Sequence, residues 1–177
     1  MGGASIDECM SPLWQPLIWR ELNDIQHLNN TNCYAYVLNI ASIGEEKLQP
    51  GESSTGKFEN YTCNDIKQKM IDDNPKIMEI DSIDTPIDND YYRIALVLDE
   101  DPNDNDYHFY RQDCNGIWSH KLGTNDITNK DSSGDKIHNP KIANRNYTDK
   151  DNLDGHHYNQ FCGYFKVPNR TDGIIIK

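Results

Sequence analysis

Residues 107–121 read YHFYRQDCNGIWSHK, two aromatic-rich runs on either side of Asn115-Gly116. Asn-Gly accepts positive φ at both turn positions, which makes it the strongest short-range hairpin signal, so strands are expected over 107–112 and 117–121. Upstream, Tyr91–Leu98 (YYRIALVL) is the most strand-like run, joined to the hairpin by the acidic turn 99–106. Downstream, Phe161–Pro168 (FCGYFKVP) reads as a closing strand. The first half of the chain has a different period. Cys33, Tyr36, Val37 and Ile40 recur at i, i+3, i+4 and i+7, with Thr31 or Asn32 as N-cap, so a helix is expected to open at Cys33. Thr62-Cys63-Asn64-Asp65 resembles a capping box and opens a second helix through about Asp72, with Ile66 and Met70 inward. Helices first and an antiparallel sheet second predict an α+β domain.

The chain has 177 residues, the size of one domain with one core. Residues 1–30 are expected to form an N-terminal packing segment, since Trp14, Trp19 and several Leu and Ile gather around two prolines. Residues 122–160 form a long loop rich in Asn, Asp and Gly. So long an irregular stretch in a small domain is usually functional or tied to the core. Lys and Arg number 17 against 29 Asp and Glu, a net charge of −12 with no basic cluster. That balance excludes electrostatic attraction to nucleic acid or an anionic membrane. The five cysteines are spread without a C-x-x-C pair, and Cys63, Cys114 and Cys162 are expected to be packing residues. With no secretory leader and no long apolar run, the expectation is a soluble protein of a reducing cytoplasm, host cytoplasm or virion in a viral setting.

A thiol in the first turn of a helix faces free backbone N–H groups and the helix dipole, which lower its pKa. Cys33 stands at such a position, and Asn32 beside it could help form an oxyanion hole. A cysteine in an amphipathic helix is more often a small apolar core residue, so the case depends on a partner. His108 opens a strand directly after an acidic loop, and Cys at a helix start followed by His at a strand start is the chain order of a Cys-His pair. The orienting third residue is expected to be His120, with Gln112 and Asp113 as substitutes. A strict two-residue turn pairs residues whose numbers sum to 231 and turns His120 away from His108, whereas a one-residue bulge near Asp113-Cys114 reverses this. His138, His156 and His157 lack the spacing of a shared metal site, and neither a metal nor a cofactor is expected.

The segment NCYAYVLN resembles the nucleophile helix of NlpC-type and CHAP-type cysteine peptidases, members of the papain-like superfamily. HFYRQDCNGIWSH resembles the His strand and return strand of the NlpC type. The pieces NCYAYVLN, LQPG, RIALVLDED, YHFYRQDCNGIWSHKLG, NPKIANRNY and FCGYFKVP are similar to a poorly characterised family of phages, bacteria and large viruses. Together these resemblances imply a papain-like fold and a catalytic set of Cys33, His108 and His120. They imply a cysteine peptidase or amidase that cleaves a peptide or protein substrate, peptidoglycan peptide among the candidates, through an acyl-enzyme. The alternative is a binding or virion-associated module that keeps the fold without activity.

Overall fold

A computed structural model describes residues 9, 11–26, 31–41, 46–123, 125–148, 155–169 and 175–176. Much of the expected N-terminal segment (1–8, 10 and 27–30) and residues 124 and 149–154 of the long loop lie outside the described residues. In chain order the elements are α1 (Pro16–Gln26), α2 (Cys33–Val37), β1 (Ile40–Ala41), α3 (Cys63–Asp73), β2 (Met78–Ile80), β3 (Tyr91–Asp99), β4 (Asp106–Gln112), β5 (Trp118–Lys121), β6 (Ile127–Thr128), β7 (Gln160–Pro168) and β8 (Ile175–Ile176). Six strands form one antiparallel sheet in the order β2-β7-β3-β4-β5-β6, and β1 pairs with β8 in parallel beside it.

This corrects the expected α+β papain-like fold. The chain is sheet-rich, with a small helical part. The helix at Cys33 is five residues long and stops short of Ile40, because Asn39 turns through a positive φ of 59° and feeds Ile40 into β1. Two short strands add to the expected ones, the second of them within the stretch 122–160 read as a loop. β2 extends the sheet beyond β7, and β6 extends it beyond β5. Such two- and three-residue strands are too short to show a period in sequence.

Both faces of the sheet are covered, which explains the near-continuous apolar run of β3. On one face Tyr92, Ile94, Leu96 and Leu98 join Phe109, Phe165 and Val167 to pack on α2, on Ile66 and Met70 of α3, and on Trp19 of α1. On the other, Ala95, Val97, Tyr110, Trp118 and Tyr164 pack under Ile137, Tyr147 and Tyr158. These last three belong to the long stretch 122–160, so that stretch is the cover of the second face. Backbone bonds hold it there: Trp118 N donates to Ile137 O (2.9 Å), Tyr147 N to His156 O (2.7 Å) and Tyr158 N to Arg145 O (3.1 Å). Long apolar burial without regular structure is affordable because these backbone groups are paired.

Two disulfides cross the fold, Cys9–Cys114 and Cys63–Cys162, with sequence separations of 105 and 99. The expectation that these cysteines merely pack is thereby corrected. The partners are about a hundred residues apart, and no local pattern announces them. The second bond ties the first turn of α3 to β7 at a bulge where Leu96 pairs Gly163 and Val97 pairs Phe161. Closing loops of this length restricts the unfolded chain. Replacing Cys63 and Cys162 together by Ala is expected to lower unfolding free energy by about 2–5 kcal/mol, read from urea unfolding at constant pH.

Candidate functional site

The hairpin places the histidines. Arg111 pairs with Ser119 and Gln112 with Trp118, a register one residue away from that of a two-residue turn. The extra residue sits in the loop. Asp113 N donates to Ile117 O (3.0 Å), Gly116 N donates back to Asp113 O (2.9 Å), and Gly116 takes φ 79°. A three-residue Cys114–Gly116 loop with glycine in the left-handed region is the bulged form of this turn. It brings His120 onto the face of His108.

The two imidazoles form one hydrogen-bonded line whose proton positions follow from its end. His120 Nε2 lies 2.9 Å from Lys130 O, and a carbonyl can only accept, so Nε2 carries the proton. His120 Nδ1 is then a bare acceptor for His108 Nε2–H at 2.9 Å, which leaves His108 Nδ1 unprotonated. Burial holds both rings neutral. It lowers His108 well below the ordinary imidazole range, with His120 and His156 adding to the effect, and it lowers His120 to about 4. His108 also stacks on Tyr158 and meets Tyr110 edge-on.

Cys33 reaches this region from the other side. Asn32 caps α2: its Oδ1 accepts from Ala35 N (3.0 Å) and its Nδ2 donates to Leu48 O (2.7 Å), so both ends of the amide are engaged structurally. The Cys33 thiol points at Tyr107 O (3.9 Å). A cleft of about 320 Å³ is lined by Cys33 and His108 together with Lys47, Gln49, Tyr61 and Asp104 among others. Successive residues of a strand face opposite ways, however. Tyr107 and Phe109 belong to the face covered by α2, whereas His108 turns with Tyr110 toward Tyr158. The cleft therefore collects Cys33 and His108 around the start of β4 from opposite faces of the sheet.

Lys121, a residue that sequence reasoning did not select, is a buried cation on the α2 side of the hairpin. Lys121 is buried at the end of β5, and its Nζ donates to Gly123 O (2.9 Å). Burial lowers its pKa to about 8; Cys33 acts in the opposite sense, and Lys47 adds to the lowering. The alternation of WSHK around Ser119 would have put Lys121 on the α2 face had the register been known.

The proposed substitutes for His120 have other partners. Gln112 Oε1 accepts from Arg93 (3.3 Å), and Asp113 is bound to Arg111 at 2.8 Å, both side chains buried. His156 lies 3.3 Å from Asp99 and 3.8 Å from Asp106. Among the described residues no three His, Cys, Asp or Glu side chains gather as a metal site, and no helix is long and apolar enough to cross a membrane.

No family model matches the sequence, and no solved structure matches it. A protein of Ruditapes philippinarum, "Insoluble matrix shell protein 1", is 35% identical over 161 residues, which cover 91% of this chain and 93% of that protein. A relationship of that extent, running through nearly the whole of both chains, defines a class by sequence. The chain belongs to the family of that shell matrix protein. This overturns the expectation of a thiol hydrolase, a peptidase or amidase of viral or phage type, because the relative is by name a matrix protein. The pleat of β4, which sends His108 to the face opposite α2, agrees with the correction.

The neutral histidines have a consequence for stability. Above pH 6.5 neither the folded nor the unfolded chain holds a proton at His120. Below it the unfolded chain gains one that the folded chain refuses until about pH 4. Stability is thus expected to fall as pH drops from 6.5 to 4, by on the order of 3 kcal/mol for His120, with His108 acting in the same direction. Urea unfolding across this range should show the slope, and His120→Gln should flatten it.

Proposed function

We propose that this chain is a non-catalytic, disulfide-bonded component of an extracellular matrix, with other matrix macromolecules as its partners. The observation that carries the reading is the 35% identity running through nearly the whole of both chains. An enzyme core grafted onto an unrelated protein would match over a part. Two disulfides support an oxidising compartment outside the cytosol, where such bonds form and persist. The net charge of −12 suits a protein held among cations or basic partners in a matrix.

The test is made on the native protein in its source tissue. Antibody detection should place it in the extracellular matrix fraction. Thiol labelling of denatured, unreduced protein should then tag one cysteine, Cys33, with all five tagged after reduction. Expressed Cys33→Ala and His108→Ala variants should enter the matrix as the unaltered chain does. Recovery from the cytosol with five reduced thiols would end the proposal.

A further inference from the structure

We propose that Asn146 carries an N-linked oligosaccharide, added as the chain enters the secretory route. The inference rests on the extracellular reading above, since only an exported chain meets the sugar donor. Asn146-Tyr147-Thr148 has the Asn-x-Thr pattern of such acceptors, and so does Asn60-Tyr61-Thr62. Two further copies, beginning at Asn29 and Asn169, include residues outside the described ones. In a chain this rich in asparagine the pattern alone selects no position. The geometry separates the two described copies.

At residues 146–148 the acceptor and the threonine form a closed local turn. Asn146 Oδ1 accepts from Thr148 N (3.2 Å) and from the Thr148 hydroxyl (2.7 Å). A backbone N–H only donates, so the amide atom facing it is the oxygen, and Nδ2 is directed away from the turn. The turn spans two residues of sequence and is open to the chain as it is made, before long-range contacts form. In the folded protein Asn146 and Thr148 are exposed, whereas Tyr147 between them is buried in the core of the second face. Tyr147 N donates to His156 O (2.7 Å) and Gly155 N to Tyr147 O (3.1 Å), which fixes the direction of all three residues. An oligosaccharide on Nδ2 therefore extends into solvent from the cover. At residues 60–62 the same groups serve the fold. Thr62 Oγ1 accepts from Asp65 N (3.2 Å) as the N-cap of α3. Thr62 N donates to the main-chain oxygen of Asn60 (2.8 Å), and Asn60 Nδ2 donates to Asp65 Oδ2 (3.4 Å). There the acceptor nitrogen and the hydroxyl are both engaged.

In the step, Asn146 Nδ2 attacks the anomeric carbon of an oligosaccharide carried on a lipid pyrophosphate. The nitrogen–carbon bond forms as the carbon–oxygen bond to the pyrophosphate breaks. The departing pyrophosphate keeps the electron pair, and the nitrogen gives up one proton to a base of the transferring enzyme. One N–H remains on the amide, and nothing is oxidised or reduced.

The experiment uses native protein from the matrix fraction, digested and treated in heavy-oxygen water with an amidase that hydrolyses the bond between Asn and sugar. Heavy oxygen should enter at position 146, in a larger share of molecules than at position 60. In parallel, the full chain is secreted from eukaryotic cells and weighed intact. Asn146→Gln and Thr148→Ala should each lose one oligosaccharide, and Thr148→Ser should keep it. Secretion of the variants shows that they fold. Matrix protein with no label at Asn146 overturns the proposal, and so does labelling at Asn60 equal to or above that at Asn146. Either result leaves the extracellular placement standing. Recovery of the native protein from the cytosol ends the extracellular reading instead. The secreted chain still decides the site in that case, since an unmodified Asn146 there overturns it.

Discussion

The buried guanidinium of Arg111 is the contact on which the site's geometry depends. It sits at the end of β4, fully enclosed, and donates to Asp113 through Nε (2.9 Å) and a terminal nitrogen (2.8 Å). The same terminal nitrogen donates to Tyr36 OH (2.9 Å), and the other reaches Asn39 Oδ1 (3.2 Å). The guanidinium also lies over the Tyr36 ring, 4.2 Å from its centroid. Burial pulls Arg111 toward losing its proton, but Tyr36 and Asp113 beside it more than offset this and it remains charged. A buried ion pair adds little net stability over an apolar substitute. Its value here is in specifying geometry, since removing one partner would strand the other charge.

That geometry joins three pieces of chain. Asp113 fixes the first residue of the bulged turn, Tyr36 and Asn39 fix the end of α2, and the Tyr36 hydroxyl passes the contact on to Ser119 of β5 at 2.6 Å. With α2 and the β4–β5 register held together, Cys33 and Lys121 share one face, and His108 and His120 share the other. The second face is completed by the 122–160 stretch, whose Lys130 carbonyl ends the imidazole line and so determines both tautomers. Structure and chemistry are coupled through one hairpin.

The contrast with a catalytic site is physical. A nucleophile–base pair needs both groups on the same side of a cleft, within hydrogen-bond reach. Here the thiol is directed to Tyr107 O and the imidazole to a second imidazole. Neutral buried histidines, a charged buried arginine and two long-range disulfides are features that suit a durable folded unit.

Several elements were legible in the sequence because their signals are local. The β3 run, the closing strand read at 161–168, the Asn115-Gly116 turn and the α3 helix capped by Thr62 each depend on residues within a few positions of one another. Cys33 at the start of a helix, and His108 near the start of a strand, could be read in the same way. The rest was decided by tertiary structure. The disulfide partners lie about a hundred residues apart, and the cover of the second face has no period. The choice between the two faces of β5 turned on one residue in a loop, because a strand's side chains alternate and a single-residue slip exchanges them all. Sequence alone determined the longer strands and the starts of α2 and α3; the placement of Cys33, Lys121, His108 and His120 about β4 came from contacts between segments that no local rule relates.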